Sequence, residues 1–244
     1  MKNPIIEVKN LTAQYGEKVI LDDIDAVIYP NEVTIILGGS GCGKSTFLKN
    51  ILRLNTPTSG KVSFFGKEIV TEEEFEEVLL RIGMLFQNGA LLNSLNIYDN
   101  LAIPLETHTN LPTELIKKII KVKLNLVGLK NIEYMTPAEL SGGMKKRAAL
   151  ARSIILDPEI LFCDEPSAGL DPLTSETLDK LILKLKKQLN MTIVVVTHEL
   201  ASIHRIADRL IFLDNKKVIF QGSLSEAKAS DIKYIQDFFK VGEF

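Results

Sequence analysis

The sequence has 244 residues, of which 45% are hydrophobic and 25% charged, with a net charge of −2. This composition indicates a globular chain that forms one large domain, or one domain with an insertion. The weak negative charge excludes the basic footprint of a nucleic-acid-binding protein. The cysteines, Cys42 and Cys163, do not have the spacing of a disulfide framework or a zinc site, which favours a reducing compartment.

The N-terminal sequence carries an acid, Glu7, where a signal peptide would be apolar. No apolar stretch approaches the length needed to cross a bilayer. We therefore expect any membrane role to come through a partner.

The first third of the chain predicts a small antiparallel β element beside a buried strand. Short apolar runs bounded by turns predict strands over residues 5–8, 18–21, 24–28, 62–65 and 66–70. The apolar run 32–37 predicts a buried strand that is followed, after a glycine-rich loop, by a helix over 46–52.

The middle of the chain is predicted to be mostly helical. Three acids after Thr71 predict a helix over 71–80, before a short strand at 82–86. Apolar residues at helical spacing predict a helix that starts near 111 and ends at Gly128, and another over 141–155.

The last third alternates strands with helices, which is typical of a parallel sheet covered on both faces. The predicted elements are strands at 160–163, 192–196, 209–214 and 217–221, with helices at 172–189 and 200–207. An amphipathic tail over 231–239 is expected either to pack on its own domain or to dock on another subunit.

The glycine-rich loop matches the pattern G-x-x-x-x-G-K-[ST], in the strand–loop–helix context that this motif requires. It consists of Gly38, Gly39, Ser40, Gly41, Cys42, Gly43, Lys44, Ser45 and Thr46. Glycines let backbone N–H groups surround phosphate oxygens, Lys44 can reach the β- and γ-phosphates, and the Ser45 hydroxyl can bind Mg²⁺. The loop therefore predicts a nucleoside triphosphate site.

Three further residues at strand ends can take part in the chemistry. Asp164 and Glu165 end an apolar strand, where Asp164 can hold Mg²⁺ through water and Glu165 can take a proton from the attacking water. His198 follows another strand, from which it can donate to the γ-phosphate.

The sequence Ser141-Gly142-Gly143 opens a helix although each glycine costs about 1 kcal/mol relative to alanine. That cost indicates close approach of a ligand, for which a phosphate at the helix N-terminus is the natural candidate. Because the Lys44 loop already surrounds one phosphate group, we expect two copies of the chain to face each other. The basic cluster that follows, Lys145 to Arg147, is expected to form a solvated face.

Taken in order, these motifs make the chain similar to ATP-binding-cassette (ABC) transporter ATPase subunits over nearly its full length. The matching motifs are Walker A at 38–46, a Q-loop at Gln87, the Leu-Ser-Gly-Gly signature at 140–143, Walker B at 160–165, a D-loop at 167–171 and a switch histidine, His198. The resemblance implies an α/β P-loop NTPase (RecA-like) fold. It has a parallel-sheet core with an antiparallel β part (1–90 and 156–222), a helical subdomain (91–155) and a helical tail (223–244).

The resemblance also implies a role for each motif. ATP and Mg²⁺ are the expected ligands, with Tyr15 stacking on adenine and Gln87 contacting Mg²⁺ and linking the site to a membrane permease. Glu165 is the implied general base and His198 its partner at the γ-phosphate. Ser141, Gly142 and Gly143 are implied to close on the nucleotide of a second subunit, with Asp171 at the seam of the homodimer.

One departure from the family is Met144, where glutamine is usual. The residues around Met144 and Gln87 are similar to those of the Mla/Mce branch of the family. The ATPases of this branch belong to phospholipid-trafficking systems of the bacterial envelope. This branch implies a peripheral position on the cytoplasmic face of the inner membrane. It leaves room for an accessory subunit and a periplasmic lipid-binding protein. Transport of another small solute and a soluble, non-transport ABC ATPase remain alternatives, whereas Glu165 and His198 argue against a non-hydrolysing module.

Overall fold

The computed structural model describes residues 2–240. The strands are β1 (Ile6–Tyr15), β2 (Lys18–Ile28), β3 (Val33–Gly38), β4 (Ser59–Phe64), β5 (Lys67–Glu68), β6 (Ile82–Leu85), β7 (Ile160–Asp164), β8 (Thr192–Val196), β9 (Arg209–Asp214) and β10 (Lys217–Ser223). The helices are α1 (Lys44–Ile51), α2 (Glu72–Leu79), α3 (Ile97–His108), α4 (Thr113–Leu126), α5 (Gly142–Ser153), α6 (Pro172–Leu189), α7 (Leu200–Ile206), α8 (Leu224–Lys228) and α9 (Lys233–Lys240).

The chain forms two compact units, of which unit 1 holds the described residues up to Phe75 and from Thr192 onward. Its core strands run in the order β10-β9-β3-β8, and β3 pairs in parallel with both β8 and β9. Every residue of β3 and β8 is buried, as expected for parallel strands covered on both faces. Because these strands are parallel, their carboxyl ends lie at one edge.

An antiparallel sheet, in the order β2-β1-β4-β5, also belongs to unit 1. The prediction of two short strands at 18–21 and 24–28 is wrong, because β2 runs through both. Asp23 adopts a positive φ of 54° within β2, and its N–H donates to the Thr12 hydroxyl at 3.2 Å. The strand therefore continues through an irregularity in its pairing with β1, where the polar residues in the sequence indicate a turn.

Unit 2 spans Glu76–Met191 and contains the parallel pair β6–β7 together with α3 to α6. Helix α3, which contains Pro104, was not predicted from the sequence. Asn96 caps this helix by accepting from Asp99 N–H at 2.8 Å, and Leu101 and Leu105 are buried. Packing of this apolar face therefore outweighs the cost of a proline inside the helix.

The C-terminal helix α9 packs on its own unit. Ile235 and Phe239 are buried, and the rings of Phe238 and Phe239 lie 5.4 and 6.2 Å from the ring of Phe212 in β9. The expectation that the tail packs on its own domain therefore describes α9. Positions 241–244 lie outside the described residues. Among residues 2–240, no helix combines the length and apolar character of a membrane span.

Candidate active site

The predicted phosphate loop connects β3 to α1 in unit 1, and the close packing around it explains its first glycine. Gly38 adopts a φ of 151°, and a Cβ atom there would lie 2.2 Å from the backbone oxygen of Leu213. A side chain at this position would therefore collide with β9. The loop ends at Gly43, whose φ of 107° precedes the first turn of α1.

The side chain of Lys44 folds over this loop. Its ammonium donates to the backbone oxygens of Gly38 and Gly39 at 2.9 and 3.0 Å. Ser40, Gly41 and Ser45 are exposed at the loop surface, whereas Thr46 is half-buried. Phosphate oxygens can replace the two carbonyl oxygens as partners of the ammonium, so this arrangement suits an anion.

A cavity of about 290 Å³ adjoins the loop, lined by Gly39 to Cys42, Lys18 to Ile20 and Asp214 to Lys216. Cys42 is half-buried in this wall. Burial raises the pKa of its thiol, and the nearby ammonium of Lys44 partly opposes that shift. The thiol is therefore protonated near neutral pH and is a weak nucleophile.

Helix α9 brings Tyr234 to the phosphate loop, a contact that sequence analysis missed. The Tyr234 hydroxyl oxygen lies 3.2 Å from the position of a Cβ built on Gly39. Burial raises the pKa of Tyr234. The nearby Asp214 and Cys42 add to this shift, and the backbone of Gly39 opposes it. No sequence signal joins residues so far apart in the chain.

The other predicted residues of unit 1 lie as follows. Ile36 of β3 pairs with Val196 of β8, so His198 comes to the same strand edge as the loop, where it is exposed. Tyr15 ends β1 with 54% of its surface exposed, and its hydroxyl accepts a hydrogen bond from Asn55. The Tyr15 ring therefore has an open surface on which a base can stack.

In unit 2, the register of β6 and β7 aligns the predicted catalytic groups. Leu85 pairs with Cys163, so Gln87 and Glu165 each follow two residues later at the same strand edge, with Asp164 just before Glu165. Glu165 has a φ of 45°, a conformation that costs a non-glycine residue roughly 1 kcal/mol or more. Gln87 is exposed, and Asp164 and Glu165 are partly exposed.

The Ser141–Gly143 turn opens onto a cavity of about 550 Å³, which Gly169 to Asp171 and residues of α6 also line. Ser141 caps α5, and its hydroxyl accepts from Met144 N–H at 3.3 Å. A Cβ on Gly143 would lie 2.9 Å from Cγ2 of Thr174, whereas one on Gly142 would meet only Leu170, at 3.9 Å. Gly143 thus allows close packing on α6, and Gly142 keeps the cavity wall open.

Asp171 caps α6 and borders the same cavity. Its Oδ1 accepts from the N–H groups of Leu173 and Thr174, both at 3.1 Å, and its Oδ2 accepts from the Thr174 hydroxyl at 2.5 Å. The Thr174 hydroxyl and N–H hold the pKa of this carboxyl below its usual range. The side chain is therefore ionised and fixed.

The expectation that residues 145–147 form a solvated face is wrong for Lys146, which is only 8% exposed. Its ammonium donates to the backbone oxygen of Gln87. Arg147 also contacts protein, donating to the backbone oxygen of Gly128 at 3.2 Å. A run of charges in the sequence does not show which member faces inward.

These features define the class of protein. The family model described as ABC transporter matches residues 21–168, more than half of the chain, and the chain belongs to this family. It is thus an ATP-hydrolysing subunit of an ABC transporter, as the resemblance implied.

The chain is 41% identical over 246 residues to the "Intermembrane phospholipid transport system ATP-binding protein MlaF" of Haemophilus influenzae, covering 100% of this chain and 92% of that protein. It is 40% identical over 235 residues to the "Probable ribonucleotide transport ATP-binding protein mkl" of Mycobacterium leprae, covering 96% and 68% respectively. Among solved structures, the dimeric ATP-binding cassette MJ0796 bound to ADP and Pi matches with a TM-score of 0.80 at 30% identity, covering 90% of this chain and 98% of that one. This likeness confirms the predicted fold class.

Proposed function

We propose that two copies of this chain close around two ATP molecules and drive an integral membrane permease that moves phospholipid in the bacterial envelope. One observation carries the proposal: the chain has two turns suited to phosphate, the Lys44 loop before α1 and the Ser141–Gly143 turn of α5 on its 550 Å³ cavity. The dimeric cassette with ADP and Pi supports the two-copy arrangement. The dimer would sit on the cytoplasmic face of the inner membrane.

ATP would bind to the loop through its phosphates. The backbone N–H groups of 39–46 and the Lys44 ammonium would hold the phosphates in place of the loop's own carbonyl oxygens. The exposed Tyr15 ring would stack on the adenine. In the second copy, Ser141, Gly142 and Gly143 would close on the γ-phosphate, with Asp171 at the seam between the copies.

The donor set for Mg²⁺ is Ser45, Gln87 and Asp164. A hydroxyl, an amide oxygen and a carboxylate are the hard oxygen ligands that Mg²⁺ prefers, and all three side chains are at least partly exposed. Each of these side chains therefore has the chemistry to bind the ion. When bound, Mg²⁺ would neutralise charge that develops on the phosphate oxygens.

Hydrolysis would use Glu165 and His198. The Glu165 carboxylate would accept a proton from the water that attacks the γ-phosphate, and Gln87 would help to orient that water. The His198 imidazole would donate a hydrogen bond to the γ-phosphate. The exposure of His198 leaves its ring accessible to a bound nucleotide.

The transported substrate needs its own test, because the two relatives carry different substrates in their names at 41% and 40% identity. Phospholipid is favoured by the relative that the chain matches over its full length. Ribonucleotide or another small solute is the second candidate.

The test reconstitutes the chain with the permease that co-purifies with it, in vesicles with fluorescent phospholipid or in vesicles loaded with labelled ribonucleotide. We expect ATP-dependent movement of the lipid, and none with the Lys44→Ala subunit. Movement of ribonucleotide alone would refute the lipid assignment, and failure to recover any integral membrane protein would favour a soluble ABC ATPase. An accessory subunit or a periplasmic lipid-binding protein would appear in the same purification.

A further inference from the structure

Basic side chains of α5 hold the backbone that follows Gln87. We call residues 87–90 the Gln87 segment. The Lys146 ammonium donates to the backbone oxygen of Gln87, and Arg152 donates to those of Gly89 and Ala90 at 3.0 and 2.7 Å. Charged side chains of α5 therefore bond three of the four carbonyl oxygens of this segment.

The Gln87 segment also lies directly against α5. A Cβ atom built on Gly89, at a φ of 74°, would approach the Cβ of the buried Ala149 to 3.1 Å. Ala90 has a φ of 51°, so both residues adopt left-handed conformations at this contact. Small residues on both sides therefore allow the segment and the helix to touch, which brings the carbonyl oxygens within reach of Lys146 and Arg152.

Burial of the charged Lys146 side chain is unfavourable by itself. The side chain is 8% exposed, and burial lowers the pKa of its ammonium, whereas the nearby Glu165 carboxylate favours the charged form. Burial also lowers the pKa of Arg152. A buried cation is unfavourable unless it has hydrogen-bond partners, and here the carbonyl oxygens of the Gln87 segment provide one for Lys146 and two for Arg152.

Two successive parts of helix α5 therefore have different contacts. Its N-terminal turn, Ser141–Gly143, faces the 550 Å³ cavity, and its next two turns hold the Gln87 segment. We propose that Lys146 and Arg152 are positioning residues that join the Gln87 segment to α5, so that the Ser141–Gly143 turn and Gln87 move as one body. This inference rests on the proposed function, which gives Gln87 and Ser141 their roles toward ATP.

The first test replaces Lys146 by the uncharged isostere of similar length, Lys146→Met. We expect kcat for ATP to fall about tenfold, the effect of losing one charge-assisted hydrogen bond, while KM changes less than twofold because the phosphate loop is untouched. Lys121→Met, at an exposed position of α4, is the matched control and keeps the wild-type kcat. Unchanged kcat in Lys146→Met would overturn the proposal.

A double-mutant cycle separates positioning from general destabilisation. Gln87→Ala removes the amide but keeps the backbone oxygen, so Lys146→Met added to Gln87→Ala should lower kcat no further if Lys146 acts through Gln87. Independent, multiplying losses would contradict the proposal. If Lys146→Met fails to fold, Arg152→Met decides, because it removes both guanidinium nitrogens that donate to Gly89 and Ala90 and keeps an unbranched side chain. Full kcat in that variant would also contradict the proposal.

Hydrogen exchange distinguishes this inference from the proposed function. In Lys146→Met, the amides of residues 87–90 should exchange about tenfold faster, while the amides of α6 stay unchanged. Exchange at the wild-type rate would refute the joining of segment and helix, even if Gln87→Ala abolishes hydrolysis. Faster exchange with normal hydrolysis in Gln87→Ala would instead support the joining and refute the role given to Gln87.

Discussion

Tyr234→Phe tests whether the C-terminal helix stabilises the phosphate loop. The substitution removes one hydroxyl group and keeps the ring, so the packing of α9 through Ile235 and Phe239 is preserved. What is lost is the hydroxyl that lies beside the backbone of Gly39. Gly39 also provides a backbone oxygen to Lys44, so the same residue is held from both sides.

The energy of one hydrogen bond sets the upper limit of the expected effect. A hydrogen bond between neutral groups contributes roughly 0.5–1.5 kcal/mol, which corresponds to a change of about two- to tenfold in a binding constant. If the hydroxyl holds the loop in its nucleotide-binding form, the Kd for ATP should rise by up to that factor. The change in Tm should be small, because water can take the place of the hydroxyl beside Gly39.

The assay is a titration with fluorescently labelled ATP, combined with a thermal melt. Tyr134→Phe is the control, because Tyr134 is 81% exposed and its hydroxyl lies in unit 2. An unchanged Kd in Tyr234→Phe would show that the contact does not bear on the loop. A large fall in Tm with equal loss of affinity would show that Tyr234 supports the fold in general.

Further predictions concern the proposed roles directly. Glu165→Gln should reduce hydrolysis at least about a hundredfold and trap an ATP-bound dimer, visible by gel filtration; normal turnover would remove Glu165 as the base. Lys44→Ala should raise the Kd for ATP about tenfold or more in the same titration, and unchanged binding would exclude its phosphate role. Tyr15→Ala should raise KM and spare kcat in steady-state assays; a loss of kcat alone would exclude stacking. Because burial raises the pKa of the Cys42 thiol, its alkylation should be slow at neutral pH and speed up as the pH rises. Bound ATP should block the reaction. Mass spectrometry measures the extent of alkylation, and rapid alkylation at pH 7 would contradict the prediction.

The elements that the sequence predicted well are those specified by local signals. Helix α6 occupies the predicted range 172–189, because Asp171 and Pro172 mark its start and Asn190 ends it in a left-handed conformation. The phosphate loop is similarly readable, since its glycines, lysine and serine are contiguous. In both cases the determinants lie within a few residues of each other.

The features that the sequence did not reveal depend on distant partners. The burial of Lys146 requires the backbone oxygen of Gln87, 59 residues away in the chain. Helix α3 forms despite Pro104 because its apolar residues are buried by packing. Composition and spacing cannot identify such partners, because the same lysine would be solvated on any helix that lacked this neighbour.

The cap formed by Asp171 affects how variation at that position will be interpreted. Its carboxylate holds the first turn of α6 and also lines the 550 Å³ cavity, so replacement by alanine removes about 1 kcal/mol of helix stability, or roughly 2–4 °C in Tm, before any chemistry is considered. Asparagine preserves the cap while it abolishes the negative charge. Comparing the two substitutions therefore distinguishes an architectural defect from an electrostatic one, a distinction that an alanine scan of the chain would miss.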